Sequence, residues 1–351
     1  MTRATPPPTG EEIAVLIASP LEPEHIERIA QVDPRIRILH DPGLIPTPTY
    51  QADHKGIHPV LTPDQERRWA AMLKQADVSF DFDWREPERL AENAPNLAWV
   101  QGTSAGIGQF LERTGLASSS IPFTTAAGVH AIPLAEFALL GLLHFVKEVP
   151  ALREAQAAHR WQRYTARQLA GSRVAVVGLG KVGSRLALVL SALGVEVVGV
   201  GRRTEPSSRE NLADYVSFDA IEGALPELDA IVLCCPLTPE TFHLLDERRL
   251  SLLRQGAIIV NIGRGALIDE EAMVSGLDSG HLGGAWLDTV EVEPLSETSP
   301  LWDRDDVLIS PHSASTVADE NRLITDIFID NLRRWIAGEE LRNRYRPEVG
   351  Y

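Results

Sequence analysis

The chain has 351 residues, of which 44% are apolar and 23% charged. This length suits about two globular domains, and the composition excludes disordered, collagenous and coiled-coil proteins. The 33 lysines and arginines are outnumbered by 49 acidic residues, which gives a net charge of −16 at pH 7. Because such a surface repels phosphate backbones and anionic membranes, we expect neither a nucleic acid nor a membrane as a partner.

The two cysteines of the sequence are the neighbours Cys234 and Cys235. They are too close together to bridge distant segments, and they lack the spaced partners of a zinc site. The N-terminal stretch MTRATPPPTG has no apolar core of the kind a signal peptide carries. We therefore expect a cytoplasmic protein without a bound metal.

The first third of the chain has an α/β pattern. An apolar strand is predicted at residues 12–18, followed by an amphipathic helix at residues 22–32. Another helix is expected at residues 63–75. Further strands are predicted at residues 35–40, 78–82, 98–101 and 121–125.

Two segments leave alternatives open. Residues 41–59 hold four prolines and two glycines without periodicity, so they form either a surface insertion or a mobile rim over a binding site. A helix is predicted to begin at Pro133, and residues 134–146 are apolar on nearly all of its sides. Such a helix must be covered on more than one face, either by the core of its own chain or by a second subunit.

Strands and helices alternate after Gly171. Unbroken apolar strands separated by helices indicate a parallel sheet that is covered on both faces. Helices are expected after the first strand up to about residue 193 and at residues 240–253 and 269–276. The strand sequences are RVAVV, VEVVGV, DAIVLCC, AIIVNIG, GGAWLD and VLISPH.

A glycine-rich loop follows the first of these strands and opens a helix. Its sequence GLGKVG places glycines at 178, 180 and 183, the spacing of a dinucleotide-binding loop in the right structural context. Gly178 permits the tight turn, Gly180 lets the backbone approach a pyrophosphate, and Gly183 lets helix and strand pack closely. Lys181 and Val182 open the helix, whose positive end faces the phosphates.

The end of the second strand predicts which dinucleotide is bound. NAD-binding loops place an acidic residue there for the ribose hydroxyls, whereas an arginine suits the 2′-phosphate of NADP. This strand runs into Gly201, Arg202 and Arg203 without a carboxylate. We expect NADP(H) as the favoured cofactor and NAD(H) as a possible one; the alternative is two solvated loop arginines.

Four chemically active side chains follow later strands of the same sheet. Arg264, Asp288, Glu293 and His312 stand at or just after carboxyl ends of strands, where open α/β sheets bind ligands. Each taken singly has a structural explanation, such as an ion pair or a hydrogen-bonded loop histidine. Together they can converge beside a bound nicotinamide.

These motifs resemble those of the D-isomer-specific 2-hydroxyacid dehydrogenase family over almost the whole chain. The resemblance implies an α/β fold of two doubly wound parallel-sheet domains. A Rossmann dinucleotide-binding domain at residues 126–315 is inserted into a flavodoxin-like substrate domain formed by residues 1–125 and 316–351. The matching segments are VVGLGKVG, CPLTPETFHLLDERRLSLLRQGAIIVNIGRGALIDEEAM, GGAWLDTVEVEPL and SPHSAS.

The same resemblance implies hydride transfer between a nicotinamide and C2 of a 2-oxo acid or D-2-hydroxy acid. His312 is then the general acid and base, and Glu293 orients its imidazole. Arg264 holds the substrate carboxylate and polarises the reacting carbonyl.

Further site residues are implied by the resemblance. Backbone amides of Ser104, Ala105 and Gly106, after the strand AWVQ, would hold the substrate carboxylate together with Arg264 and His312. The protein is expected to be a homodimer with hinges near residues 126–130 and just past His312, and a helix at 316–336 would return to the first domain. The cofactor would be flanked by Pro236, Thr241, Ile262 and Asp288.

Three alternatives within and outside the family remain. Formate dehydrogenases pair the catalytic histidine with a glutamine, whereas this chain has Glu293. Phosphoglycerate dehydrogenases often carry a regulatory domain that we do not expect after Tyr351, although a short form stays open. A corepressor-like protein that senses the dinucleotide without turnover is the third. Trp286 stands where the family has a small residue, and we expect it to crowd the adjoining core.

Overall fold

The computed structural model describes residues 10–206 and 208–347. Contacts divide the chain into two compact units, one formed by the residues up to His130 together with those from Thr316 onward, the other by Ala131–Ser315. The sequence predicts the first junction after residue 125, and the contacts place it after His130.

The first unit contains a five-stranded parallel sheet with the order β2-β1-β3-β4-β5. This is the flavodoxin-like doubly wound order. Apolar residues fill both faces, since every residue of β1 is buried. The strands are β1 (Ile13–Ile17), β2 (Ile36–Leu39), β3 (Val78–Phe80), β4 (Trp99–Gln101) and β5 (Phe123–Thr124).

Four helices of this unit precede the junction. The second begins where the sequence predicts because Thr62 and Gln65 form a capping box, in which each side chain binds the other's backbone. It buries Trp69 and Leu73. The helices are α1 (Pro23–Ala30), α2 (Pro63–Gln75), α3 (Leu90–Asn93) and α4 (Gly108–Arg113).

The second unit is built on a seven-stranded parallel sheet with the order β12-β11-β10-β9-β6-β7-β8. When β6 is counted as strand 1 and β12 as strand 7, the order is 3-2-1-4-5-6-7. This is the classic Rossmann order 3-2-1-4-5-6 with one strand added. The strands are β6 (Arg173–Val177), β7 (Glu196–Gly201), β8 (Asp214–Ser217), β9 (Ala230–Leu233), β10 (Ala257–Asn261), β11 (Leu282–Leu287) and β12 (Val307–Ile309).

Helices cover both faces of this sheet. The apolar helix predicted from Pro133 is α5, and its core-facing residues pack against Trp286 of β11. The Trp286 ring fits because α5 has a glycine there: a Cβ on Gly141 would lie 2.4 Å from Trp286 Cγ. The helices are α5 (Ala131–Val146), α6 (Val149–Ala157), α7 (Lys181–Ala192), α8 (Glu247–Leu252) and α9 (Glu270–Asp278).

The last helix, α10 (Glu320–Ile336), packs in the first unit. Its Phe328 ring lies 5.3 Å from Phe80 and 5.2 Å from Trp99, measured between ring centroids. Gln101 at the end of β4 donates a hydrogen bond to the carbonyl of Ile324 at 3.2 Å. These contacts place α10 against the centre of the β1–β5 sheet.

Several predicted boundaries are wrong. The strand predicted at 78–82 ends at Phe80, because Asp81 adopts a φ of 70°. The helix predicted at 240–253 is reduced to α8, since residues 239–243 form turns in which the Thr241 hydroxyl binds the backbone of Pro236. The helix expected from residue 316 begins at Glu320.

The proline-rich segment 41–59 is braced within the first unit. Thr47 and Ile57 form an antiparallel bridge, and the buried Asp53 carboxylate accepts backbone N–H groups of Lys55 and Gly56 at 3.1 and 2.8 Å. Gln51 donates to the carbonyl of Ala318 at 3.0 Å. Within the described ranges, no helix combines the length and the apolar character needed to cross a membrane.

Candidate active site

The glycine loop joins β6 to α7 with three distinct steric roles. Gly178 has a φ of 95°, and a Cβ there would lie 2.7 Å from Cys235 Cα. A Cβ on Gly183 would lie 2.0 Å from the carbonyl oxygen of Gly178. A Cβ on Gly180 meets nothing within 4 Å. The fold itself therefore requires Gly178 and Gly183, whereas Gly180 borders open space.

That open space lies at the N-terminus of α7. Gly180 is the N-cap of this helix, and no side chain caps it. The N–H groups of the first turn, which starts at Lys181 and Val182, are therefore available for an anionic ligand. A dinucleotide pyrophosphate fits this cradle, because it needs both backbone donors and the absence of a Cβ.

The turn after β9 lies at the same edge of the sheet. The Thr241 hydroxyl donates to the carbonyl of Pro236 at 2.8 Å and accepts the N–H of Thr238 at 2.8 Å. Ile262, just after β10, donates its N–H to the carbonyl of Leu233 at 3.0 Å. Because β9 lies between β6 and β10, the turns that carry Pro236, Thr241 and Ile262 lie at the same edge of the sheet as the glycine loop. Their contact with the cofactor stays a prediction.

Two exposed arginines directly follow β7. Arg202 and Arg203 stand where a ribose-binding carboxylate would follow this strand. The Tyr215 hydroxyl of β8 donates to the carbonyl of Arg203 at 2.9 Å. Gly201 makes room for that ring, since a Cβ there would lie 2.8 Å from the Tyr215 hydroxyl.

His312 and Glu293 form a hydrogen-bonded pair. Nδ1 of His312 lies 2.9 Å from Oε2 of Glu293. A carboxylate only accepts, so Nδ1 carries the proton and the other ring nitrogen, Nε2, is left to exchange a proton with a ligand. The two side chains are 44% and 39% exposed, which leaves this nitrogen accessible.

Asp288 braces the segment that carries His312. Its Oδ1 accepts the Ser310 hydroxyl at 2.7 Å and the N–H groups of Ser313 and Ala314 at 2.9 Å each. Its carbonyl accepts the N–H of His312 at 2.9 Å. His312 is held by these bonds at a φ of 54°, a conformation that needs such support.

Arg264 follows β10 on a turn fixed by Asn261, whose side-chain amide donates to the Arg264 carbonyl at 3.0 Å. Gly265 packs directly on the segment that leads to Glu293, since a Cβ there would lie 1.8 Å from the Val290 carbonyl oxygen. Burial lowers the pKa of Arg264, and the nearby charges of Glu293 and Asp288 oppose that shift. The turn that carries Arg264 therefore packs against the segment that leads to Glu293.

The structure thus brings Arg264, Asp288, Glu293 and His312 to the carboxyl edge of the sheet in the second unit, the same edge from which the glycine loop extends. The predicted substrate loop follows β4 in the first unit. There the Ser104 carbonyl accepts the N–H of Ala126 at 3.1 Å, and Ser104 and Gly106 are exposed.

Sequence reasoning missed the supports of this site. A second pair, His243 with Glu291 at 2.9 Å, joins the turn after β9 to the segment before Glu293. The bracing by Asp288 was also missed, although an acid directly after an apolar strand is a signal for it. Among the described residues, no group of three or more His, Cys, Asp or Glu side chains is arranged to hold a metal.

Comparison with known proteins decides the family. The family model described as D-isomer specific 2-hydroxyacid dehydrogenase, NAD binding domain, matches residues 139–314. The chain belongs to the D-isomer specific 2-hydroxyacid dehydrogenase family.

Relatives of this dehydrogenase include two named reductases and a solved structure. A glyoxylate/hydroxypyruvate reductase of Arabidopsis thaliana is 30% identical over 258 residues, which cover 72% of this chain and 78% of the relative. A glyoxylate reductase of Thermofilum pendens is 30% identical over 258 residues, covering 71% and 75%. A D-isomer specific 2-hydroxyacid dehydrogenase from Xanthobacter autotrophicus Py2, solved with NADPH and MES, is 29% identical with a TM-score of 0.78, covering 97% and 100%.

The dehydrogenase is an enzyme that uses a nicotinamide dinucleotide to interconvert 2-oxo and 2-hydroxy acids. The predicted family and the predicted α/β class with parallel sheets are confirmed.

Proposed function

We propose that this dehydrogenase reduces short 2-oxo acids, of the size of glyoxylate or hydroxypyruvate, to D-2-hydroxy acids with NADPH as the preferred cofactor. The observation that carries the proposal is the pair of His312 and Glu293 beside a half-buried Arg264, at the edge that also holds the glycine loop. The names of the relatives from Arabidopsis thaliana and Thermofilum pendens support the substrate size.

His312 donates the proton in this reduction. When bound, the reduced nicotinamide supplies a hydride to C2 of the substrate. Negative charge then develops on the carbonyl oxygen, and Nε2 of the doubly protonated His312 ring donates its proton to that oxygen, which leaves a neutral imidazole with its proton on Nδ1. Glu293, at 2.9 Å from Nδ1, fixes the tautomer and the ring orientation. In the oxidation of a hydroxy acid, the same pair accepts the proton.

Arg264 supplies fixed positive charge. Its planar fork can bind the substrate carboxylate and lie beside the reacting carbonyl. Burial makes this charge more effective than it would be in water, because a low local dielectric strengthens its attraction to a developing oxyanion. In the first unit, we assign the backbone amides of Ser104, Ala105 and Gly106 to the binding of a substrate carboxylate.

The cofactor assignment rests on the ends of β6 and β7. Gly178, Gly180 and Gly183 with the first turn of α7 take the pyrophosphate, and Pro236, Thr241, Ile262 and Asp288 flank the rest of the dinucleotide. Arg202 and Arg203 take the 2′-phosphate of NADP(H), which is supported by the absence of a carboxylate between residues 200 and 204.

We assign the first unit to substrate binding and the second to the dinucleotide, and we propose a cytoplasmic homodimer. The apolar helix α5 supports the dimer, since Ile132 and Leu140 on it are 51% and 55% exposed. Sedimentation or light scattering should then give twice the mass of the chain; a monomer would contradict the assembly without affecting the reaction.

One assay tests the proposed function. Glyoxylate, hydroxypyruvate, pyruvate and bulkier 2-oxo acids are each offered with NADPH and with NADH, and the loss of reduced-nicotinamide absorbance is followed. We expect turnover of the short acids and a higher kcat/KM with NADPH. Binding of NADPH without its oxidation by any of these acids would contradict catalysis and favour a dinucleotide sensor.

A further inference from the structure

The sheet of the first unit has a topological switch point between β1 and β3. From β1 the chain proceeds to β2 on one side, and it then crosses to β3 on the other side. Ligands of doubly wound sheets bind outside the carboxyl ends of the strands at such a point. The polar residues that follow β1 and β3 are Ser19 and Asp81, and neither is used by the mechanism above.

Asp81 is held there by many hydrogen bonds. Its φ of 70° is unusual for a residue other than glycine, and such conformations occur preferentially at functional sites. Its N–H donates to the Gln101 carbonyl at 2.8 Å. Its carboxylate accepts the Thr103 hydroxyl at 3.1 Å and also the Ser19 hydroxyl and the Phe82 N–H. Burial raises the pKa of Asp81, and these donors and His54 oppose the shift.

His54 lies in the proline-rich segment 41–59 and is connected to this carboxylate through Ser19. Its Nδ1 lies 3.1 Å from the Ser19 hydroxyl oxygen. With its proton on Nδ1, a neutral His54 donates to Ser19, and Ser19 can then donate to the Asp81 carboxylate, whose pKa this contact lowers. Burial lowers the pKa of His54, which favours this neutral imidazole. The chain of bonds from His54 through Ser19 ends on Asp81 and keeps it an acceptor.

Asp81 is also joined to the proposed substrate loop. Thr103, which donates to its carboxylate, directly precedes Ser104–Gly106. Since one residue spans at most about 3.3–3.6 Å of extended chain, the amide of Ser104 lies within a few ångströms of Thr103, and the amide of Gly106 lies no more than about 11 Å from it. A side group of a short acid held by those amides can reach the carboxylate of Asp81.

We propose that Asp81 determines substrate specificity by accepting a hydrogen bond from a hydroxyl on C3 of the substrate, and that Ser19 and His54 position its carboxylate. The preferred substrate class is therefore the 3-hydroxy-2-oxo acids. This inference rests on the proposed function, since it concerns the same substrate.

The chemistry of a fixed carboxylate gives three rankings. A C3 hydroxyl adds a donor to a remaining lone pair of the carboxylate, whereas the methyl group of pyruvate covers that lone pair without a donor. A second carboxylate, as in oxaloacetate, brings no donor and places two acceptors against one another. Glyoxylate has no C3, so its turnover should not depend on the Asp81 carboxylate.

The first experiment needs only the wild-type enzyme. We measure kcat/KM with NADPH for hydroxypyruvate, pyruvate, oxaloacetate and glyoxylate. Hydroxypyruvate should exceed pyruvate by about tenfold to 100-fold, and oxaloacetate should be the poorest. Equal values for hydroxypyruvate and pyruvate would overturn the inference. If glyoxylate and hydroxypyruvate are both inert, the proposed function itself fails.

The second experiment removes the charge. Asp81→Asn keeps the shape of the side chain and tolerates the positive φ, and it should lower the ratio of hydroxypyruvate to pyruvate by about tenfold or more. The matched control is Asp83→Asn, because Asp83 lies two residues further on and accepts a hydrogen bond from Trp69 instead. The control should leave the ratio unchanged. The same ratio in Asp81→Asn and wild type would overturn the inference.

The positioning role of His54 has its own readout. His54→Leu removes the donor to Ser19 and should lower the same substrate ratio, whereas His54→Asn keeps a donor near the place of Nδ1 and should restore part of it. NADPH affinity is measured in parallel as a check that the dinucleotide unit is intact. A ratio that is identical in both variants and wild type would contradict this role.

Discussion

The carboxyl edges of the two sheets differ in how their polar groups are held. At the edge of the second unit, His312 and Glu293 form a pair whose side chains are 44% and 39% exposed. At the edge of the first unit, Asp81 is only partly exposed and Ser19 is 1% exposed, and both are bonded to one another. A group that transfers a proton must stay accessible, whereas a group that recognises shape must be held rigidly. The difference suggests that one edge carries the reaction and the other selects the substrate.

Replacement of the proton donor at the edge of the second unit is expected to reduce activity most. His312→Gln should lower kcat by about 10²–10⁴-fold, because the proton donor to the developing alkoxide is lost. The dissociation constant for NADPH should change little. The matched control is His281→Gln, since His281 lies at the opposite edge of the same sheet and contacts the Leu250 carbonyl at 3.2 Å. Equal losses of kcat in the two variants would contradict the role of His312.

Replacement of the fixed cation is expected to have the next largest effect. Arg264→Lys keeps the charge but loses the planar fork, and it should reduce kcat/KM by about 10²-fold. Steady-state kinetics with one 2-oxo acid suffice for the measurement. A variant as active as the wild type would mean that Arg264 serves only the turn after β10.

The cofactor preference depends on Arg202 and Arg203 and can be measured independently of the catalytic residues. Arg202→Ala combined with Arg203→Ala should weaken NADPH by about tenfold to 100-fold, since charge-assisted hydrogen bonds to the 2′-phosphate are lost. NADH lacks that phosphate and should weaken far less. Fluorescence titration of both cofactors gives the two dissociation constants, and equal weakening would argue against the NADP assignment.

Two alanine variants distinguish the contribution of the glycine loop to stability from its contribution to cofactor binding. Gly183→Ala places a Cβ 2.0 Å from a carbonyl oxygen, which should lower the free energy of unfolding by about 1–3 kcal/mol. Gly180→Ala meets nothing within 4 Å, so it should leave the thermal midpoint unchanged and weaken the dinucleotide alone. Similar thermal midpoints for both variants would contradict this division.

The smallest expected effect is on the pH dependence of stability, through His54 in the first unit. Burial lowers the pKa of His54, although Asp81, Glu320, Glu22 and Asp53 oppose the shift. The native state therefore binds fewer protons than the unfolded chain, and the stability contributed by a neutral His54 is present above about pH 6.5 and lost as the pH falls below it. His54→Asn should make the thermal midpoint less sensitive to acid between about pH 7 and pH 5. Parallel curves for the two proteins would exclude this contribution.

The sequence predicts local features better than distant contacts. The helix Pro63–Gln75 is predicted with both ends, because Pro63 and the capping pair Thr62 and Gln65 act within a few residues of its start. The roles of Gly178 and Gly183 also follow from a local turn. Such features depend on steric and hydrogen-bonding rules that operate along the chain.

The polar cluster of the first unit could not be predicted in this way. Ser19, His54 and Asp81 come together from three separate segments, and no spacing rule connects them. Their meeting depends on the order of the strands in the sheet, which places β1 beside β3 although β2 intervenes in sequence. The bracing of His312 by Asp288 was missed for the same reason, since it depends on β11 pairing with β12.

Transfer of an isotope from the cofactor tests whether a hydride passes from the nicotinamide to C2 of the substrate. NADPH that carries deuterium at both C4 positions of the nicotinamide is incubated with the enzyme and hydroxypyruvate, and the product is analysed by mass spectrometry and chiral chromatography. We expect a hydroxy acid of D configuration with deuterium at C2. An unlabelled product, or a product of L configuration, would contradict the proposed reaction.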